Sequence, residues 1–473
     1  MKPRAKPGPV LALLLFTVLA ACHGEIRPDL SRLYASGMEQ ERTPPVIVIP
    51  GILGSRLMDA TAKQEVWPGS AFNLLFDAKE NLALRIDPKT LQPLDDGVQP
   101  DGLFEQAFNS DFYGAILRTL RDSGGFVPGK PGERADPRQR RYYVLAYDWR
   151  QDNVITARRL DALIEQIRRD YGDPRLKVNI IAHSMGGLVT RYYLRYGTVD
   201  ALEGEGSFPI NMAGAAKVGT VVLLGTPNLG SVRSLQGMIL GEEVGLSRVP
   251  PEVLATMPSV YELLPHPLNA WSVAPDGKDL DLDLFDVDTW KRFQWSVFNP
   301  AVQQRIRSHY KDPAQADAYI ATLQAYFTST LERARRFIWS LTFEEPRSPV
   351  KLVVFGGDCV LTPARIVIEQ DGKDSRARLY PQDVAHKVAG VDYSRLMLEP
   401  GDGEVTKPSL LAREALNPVA PRSDALFFPL AWSFFLCENH ERLTGNINFQ
   451  DNLLNVLLTR EHPWDEPAAG GAR

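Results

Sequence analysis

The stretch Lys177–Gly187, KVNIIAHSMGG, constrains this chain more than any other. Its first half is a near-continuous apolar run of the kind that a strand buried on both faces requires. Met185–Tyr196 then carries helical periodicity, so strand and helix are joined through His183 and Ser184 alone. A turn that tight leaves almost no room for side chains at its flanks, which is why Gly186 and Gly187 are there. Ala182 stands where the usual G-x-S-x-G pattern has its first glycine, adding one methyl group. The serine of such a turn is held on a strained backbone with its hydroxyl exposed. A serine that only capped the helix would leave the paired glycines without a reason.

Other β-branched or aromatic runs repeat the strand signal: Val46–Ile49, closed by Pro50-Gly51, then Arg141–Tyr147, Val218–Leu224 and Val350–Phe355. Between them, Leu160, Leu163, Ile164, Ile167 and Tyr171 fall on one helical face, and Gly172 stops the helix. Strands alternating with helices predict an α/β fold with a mostly parallel central sheet. Two stretches break the alternation. Residues 62–110 read as a lid-like insertion, and residues 232–345, rich in Trp, Tyr and Phe, read as a helical cap. The core is then divided into residues 44–231 and 346–473. LDLDLFDVD at 280–288 lacks the Gly turn and final Glu of a calcium loop and reads as a solvated acidic strand or loop.

A serine hydroxyl needs a positioned base. Of seven histidines, His23 precedes the core, His183 neighbours the serine but is expected to project away, His266 and His309 fall in the cap, and His462 lies in a Pro-rich tail. His386 and His440 remain. His440 is favoured, because the apolar run Leu426–Leu436 precedes it and the helical Asn448–Leu458 follows, matching a loop after the last strand. The acid that orients the imidazole is expected at Asp402, a strand-end carboxylate in a Gly-Asp-Gly turn after the apolar run Tyr393–Leu398, with Asp358 in FGGDCV as the second choice. The oxyanion needs two backbone donors, and the N–H groups of Ile52 and Met185 are the candidates.

The N-terminus is an address rather than part of the fold. Lys2, Arg4 and Lys6 precede an apolar run of about a dozen residues, too short to span a bilayer as a helix. Leu19-Ala20-Ala21-Cys22 is similar to a bacterial lipobox, which predicts a signal peptide over 1–21, lipidation of Cys22 and a polar tether over 22–43. The expected location is outside the cytoplasm, as a membrane-anchored bacterial lipoprotein of the periplasm, outer membrane or cell surface. With Cys22 lipidated, Cys359 and Cys437 remain as either a disulfide or two separate thiols. The formal charge of −5 supplies no phosphate-neutralising surface, so no nucleic-acid partner is expected. No His/Cys/Asp cluster has ligand spacing, and neither metal nor cofactor is expected.

Taken together, these pieces resemble the lecithin:cholesterol acyltransferase family, which includes lysosomal phospholipase and phospholipid:diacylglycerol acyltransferases. The resemblance runs through Pro45–Ser55, Tyr147-Asp148-Trp149-Arg150, Ala182–Gly187, Leu224–Ser231, Gly401–Val405 and His440, in that order over roughly 44–460. It implies an α/β-hydrolase fold with Ser184 as nucleophile, Asp402 as acid, His440 as base and Ile52 and Met185 at the oxyanion. It also implies a membrane lipid as acyl donor, with water or an alcohol as acceptor. A carboxylesterase or thioesterase on soluble esters, and a non-catalytic lipid-binding lipoprotein, are the rival expectations.

Overall fold

A computed structural model describes residues 27–34, 43–69, 79–107, 110–204, 206–342, 348, 350–371, 374–413 and 430–459. Cys22, the expected signal segment and most of the expected tether lie outside the described residues. Residues 27–34 do not run as a free tether: Leu30 is buried, and the Tyr34 hydroxyl donates to the Asp451 carbonyl at 2.7 Å.

The centre is a seven-stranded sheet. Its strands are β1 (Val46–Ile49), β2 (Val127–Pro128), β3 (Arg141–Val144), β4 (Val178–His183), β5 (Val218–Leu224), β6 (Lys351–Gly357) and, at one edge, β9 (Leu430–Leu436). The spatial order is β9-β6-β5-β4-β1-β3-β2, and every pairing is parallel. β1 and β4 are buried on both faces, as their unbroken apolar runs demand. β3 is shorter than the Arg141–Tyr147 run. The chain leaves the sheet after Val144 because Tyr147 turns inward, where its hydroxyl donates to the Pro50 carbonyl at 2.8 Å.

Helix α1 (Asn153–Tyr171) starts where the Asp152 side chain accepts the Val154 N–H and ends at Gly172, whose φ of 64° is the left-handed stop. Leu160, Ile164 and Ile167 of its apolar face are fully buried, while Leu163 and Tyr171 are half-buried. Helix α2 (Met185–Tyr196) is buried along its whole length. The long helix α4 (Pro313–Ser340), which follows α3 (Val232–Leu240), accounts for that: Phe337 stacks on Tyr192 at 5.5 Å, and Tyr196 donates to the Ser340 carbonyl at 2.7 Å.

Ser55–Asp59, just before the early insertion, forms a small antiparallel sheet with Gln64–Trp67 and Val98–Leu103 of that insertion. It is pinned to the core. Trp67 Nε1–H donates to the Leu53 carbonyl at 2.8 Å, and its ring meets Trp149 edge-on at 5.7 Å. Beneath it, the Arg150 guanidinium is fully buried between Asp148 and Asp96, at 2.8 Å from each. Residues 280–286 form a loop.

The run before Asp402 departs from expectation. Tyr393–Met397 is a helical turn, capped by Asp392, and only Leu398–Gly401 is a strand. That strand, β8, pairs antiparallel with β7 (Val360–Pro363), so Asp402 hangs from a two-stranded ribbon beside the main sheet. Cys359 and Cys437 form a disulfide, with Cα atoms 5.0 Å apart.

The tightness of the β4–α2 turn gives a direct test. A Cβ at Gly187 would collide with the Thr226 side chain, and a Cβ at Gly186 would lie 2.5 Å from the Pro50 carbonyl oxygen. Gly187→Ala should therefore cost about 1–3 kcal/mol, read as a lower midpoint in urea denaturation.

Candidate active site

Ser184 adopts φ 53° and ψ −125°, a region that an L-residue occupies only under strain, at a cost on the order of 1–3 kcal/mol. The surrounding packing holds it there. Ser184 N–H donates to the Leu224 carbonyl at 2.8 Å, and Gly51 comes so close that a Cβ on it would sit 2.7 Å from Ser184 Cβ. The serine thereby lies on the wall of a cavity of about 360 Å³, together with Ile52, Tyr113, His183 and His440. The rest of that wall is mainly apolar, including Trp67, Phe104, Trp149, Leu254, Met257 and Val260.

His440 opens the short turn after β9. Its Nδ1–H donates to Asp402 Oδ2 at 2.8 Å, which leaves Nε2 as the nitrogen able to take a proton. Asp402 is 2% exposed, and its Oδ1 accepts the N–H groups of Glu404 at 3.0 Å and Val405 at 2.7 Å. The main chains are also joined, His440 N–H to the Asp402 carbonyl at 2.9 Å. Gly225, at φ 59°, gives the imidazole room, since a Cβ there would lie 2.9 Å from His440 Cε1. Burial alone would push the imidazole pKa down. The charge and hydrogen bond of Asp402 outweigh it, with help from Glu404 and Glu441, and the pKa stands above its ordinary 6.5. Among the described residues no hydrogen bond joins the Ser184 hydroxyl to this ring. Contacts between a nucleophile and its base commonly tighten only around a bound substrate.

Asp358, the second choice for the acid, is engaged elsewhere, paired with Lys407 at 2.9 Å. His386 is exposed beside Glu369, His309 faces Glu80, and His266 is buried against Thr342. Cys22, His23 and His462 lie outside the described residues. Ile52 lines the cavity and Met185 is the first residue of α2. Neither amide has a hydrogen-bond partner among the described residues.

Two residues at the cavity escaped sequence reasoning. His183 does not project away from the site: its ring packs on His440, 4.7 Å between centroids. Tyr113 lies in no recognisable pattern, yet its hydroxyl accepts the Gly51 N–H at 2.8 Å. The Tyr147–Arg150 block is explained by placement. Tyr147 holds the Pro50 carbonyl, and Trp149 Nε1–H holds that of Ser55 at 3.1 Å, so the block clamps both ends of the Pro50–Ser55 loop.

Against this geometry, the lecithin:cholesterol acyltransferase family model matches residues 138–310. No curated protein matches the chain. Among solved structures, that of the Tle4–Tli4 complex is similar over 88% of this chain and 98% of that one, at 18% identity and a TM-score of 0.52. Lipase 1 from Pelosinus fermentans is similar at 11% identity over 89% and 100% of the two chains, with a TM-score of 0.34. EstA from Clostridium botulinum is similar at 12% identity over 88% and 87%, with a TM-score of 0.33.

The electrostatics of His440 can be checked by NMR titration of its ring protons. The midpoint should lie above 6.5, and Asp402→Asn should lower it, because burial is then opposed only by the weaker pull of Glu404 and Glu441.

Proposed function

We propose that this chain, an LCAT-like α/β-hydrolase of the lipase and acyltransferase type, transfers or hydrolyses the acyl group of a lipid ester through an acyl-serine. The observation that carries the reading is the 2.8 Å bond between Asp402 and His440, with His440 on the same mainly apolar cavity wall as the strained Ser184. In this mechanism, Ser184 Oγ attacks the ester carbonyl carbon while His440 Nε2 takes the hydroxyl proton. Asp402 holds the ring in the right tautomer and stabilises the imidazolium. The carbonyl oxygen, now negative, is met by the N–H groups of Ile52 and Met185, each such donor contributing about 3 kcal/mol. Collapse breaks the ester C–O bond, and the departing alkoxide takes the proton from His440. Water or an alcohol then attacks the acyl-serine with His440 as base, the acyl–Oγ bond breaks, Ser184 Oγ takes the proton back from His440, and the acid or new ester leaves.

The apolar wall fits an acyl chain better than a polar acid, which favours a lipid donor over a small soluble ester. Among the described residues no helix is long and apolar enough to cross a membrane. In this reading the chain is exported and held at a membrane by acyl groups on Cys22, within reach of its substrate.

Two experiments test the proposal. Ser184→Ala should lose at least a thousandfold in turnover of a phospholipid ester and should no longer react with a fluorophosphonate, whose adduct in the native protein should map to Ser184 by mass spectrometry. Full turnover in that variant would overturn the mechanism. Cys22→Ser should move the protein from the membrane fraction to the soluble fraction of its producing cell; unchanged membrane association would remove the lipid anchor from the reading.

A further inference from the structure

The Tyr113 hydroxyl is a meeting point between the two loops that the proposed reaction depends on. It accepts the Gly51 N–H at 2.8 Å and lies 2.8 Å from His183 Nδ1. The His440 carbonyl oxygen beside Nε2 can only accept, so the neutral His183 ring carries its proton on Nε2, and the phenol, while accepting from Gly51, gives its own proton to Nδ1. Nε2 is 3.3 Å from the His440 carbonyl oxygen, and it donates there. The three bonds are consistent in a single tautomer. The rings are packed in the same sequence: Tyr113 meets His183 edge-on at 5.6 Å, and His183 lies against His440 at 4.7 Å. Both members are uncharged. Burial pushes the phenol pKa up, and burial together with the adjacent His440 holds His183 well below the ordinary histidine value.

We propose that Tyr113 and His183 are positioning residues, forming a neutral hydrogen-bonded strut that fixes the Gly51-Ile52 loop against the main chain of His440. This rests on the acyl-transfer reading above. Among the described residues no hydrogen bond joins either side chain to Ser184. The strut's work is geometric: the Gly51 amide immediately precedes the Ile52 donor, and the His440 carbonyl belongs to the residue that carries the base. Tying both to one pair of side chains sets the spacing between the oxyanion donor and the proton acceptor. A displacement of about 1 Å there would cost on the order of a hundredfold in rate. A residue that only filled the space would need the Tyr113 ring but not its oxygen.

The test is a double-mutant cycle on Tyr113→Phe and His183→Leu, assayed on a soluble nitrophenyl ester. Near-UV circular dichroism establishes that each variant is folded at the assay temperature. Each single variant should lose about 10- to 100-fold in kcat, with KM changed by less than about threefold. The double variant should be no worse than the poorer single one, because both changes break the same strut. His183→Asn, whose shorter side chain can still accept from the phenol but does not reach the His440 carbonyl, should fall between native and His183→Leu. Single variants within twofold of native kcat, losses that multiply in the double variant, or losses confined to KM would each overturn the strut. Fluorophosphonate labelling separates this from the reading beneath it. Native protein that fails to label at Ser184 sinks the acyl-serine mechanism, whereas labelling at Ser184 in every variant leaves the kinetics to judge the strut alone.

Discussion

Backbone meets backbone where β1 ends and α2 begins. The absent side chain of Gly186 lets it lie against the Ile49 and Pro50 carbonyls, and Gly51 in turn crowds Ser184. That contact fixes where Ser184 lies relative to the loop that carries Ile52. The strain on Ser184 is affordable because the flanking strands are deeply buried. Ile47, Ile49 and Ile180 are all fully enclosed, each stabilising the fold by roughly 1.5–3 kcal/mol. A few such side chains offset one strained turn.

The sheet was legible because a parallel strand covered on both faces must be apolar throughout, and Val46–Ile49 and Val218–Leu224 carry that mark at their true boundaries. Boundaries shifted where a tertiary contact competed with local preference, as at Tyr147, which abandons the strand to hold the Pro50 carbonyl. The Asp402–His440 pairing could be read from order along the chain, but its support could not. Asp392 caps a helical turn at Tyr393 where an apolar run suggested a strand, and Asp402 arrives on a side ribbon. Tyr113 was out of reach altogether, because a single tyrosine outside any periodic pattern carries no mark of the two loops it joins.

The insertions are not loose additions. Arg150, enclosed between Asp148 and Asp96, ties the early insertion to the block that clamps the Pro50–Ser55 loop, and removing both carboxylates would leave a buried charge uncompensated. On the other side, α4 encloses α2, so the helix that begins at the serine is packed from the sheet and from outside. Residues distant from the cavity are thus mechanically continuous with its wall.

The Cys359–Cys437 bond joins the chain just after β6 to the chain just before His440, bridging residues 78 apart in sequence. In the chain-entropy model, closing a loop of that length removes about 4–5 kcal/mol of freedom from the unfolded state. The cost of loop closure grows only slowly with length, so the bond behaves as a fixed hem: whatever lies between the two cysteines can be lengthened, shortened or exchanged while its edges stay in register. Asp402 lies within that hemmed stretch and the imidazole just beyond it. Glu404 and Val405 of that stretch line the cavity, so part of the cavity wall sits on a segment whose two ends are fixed together.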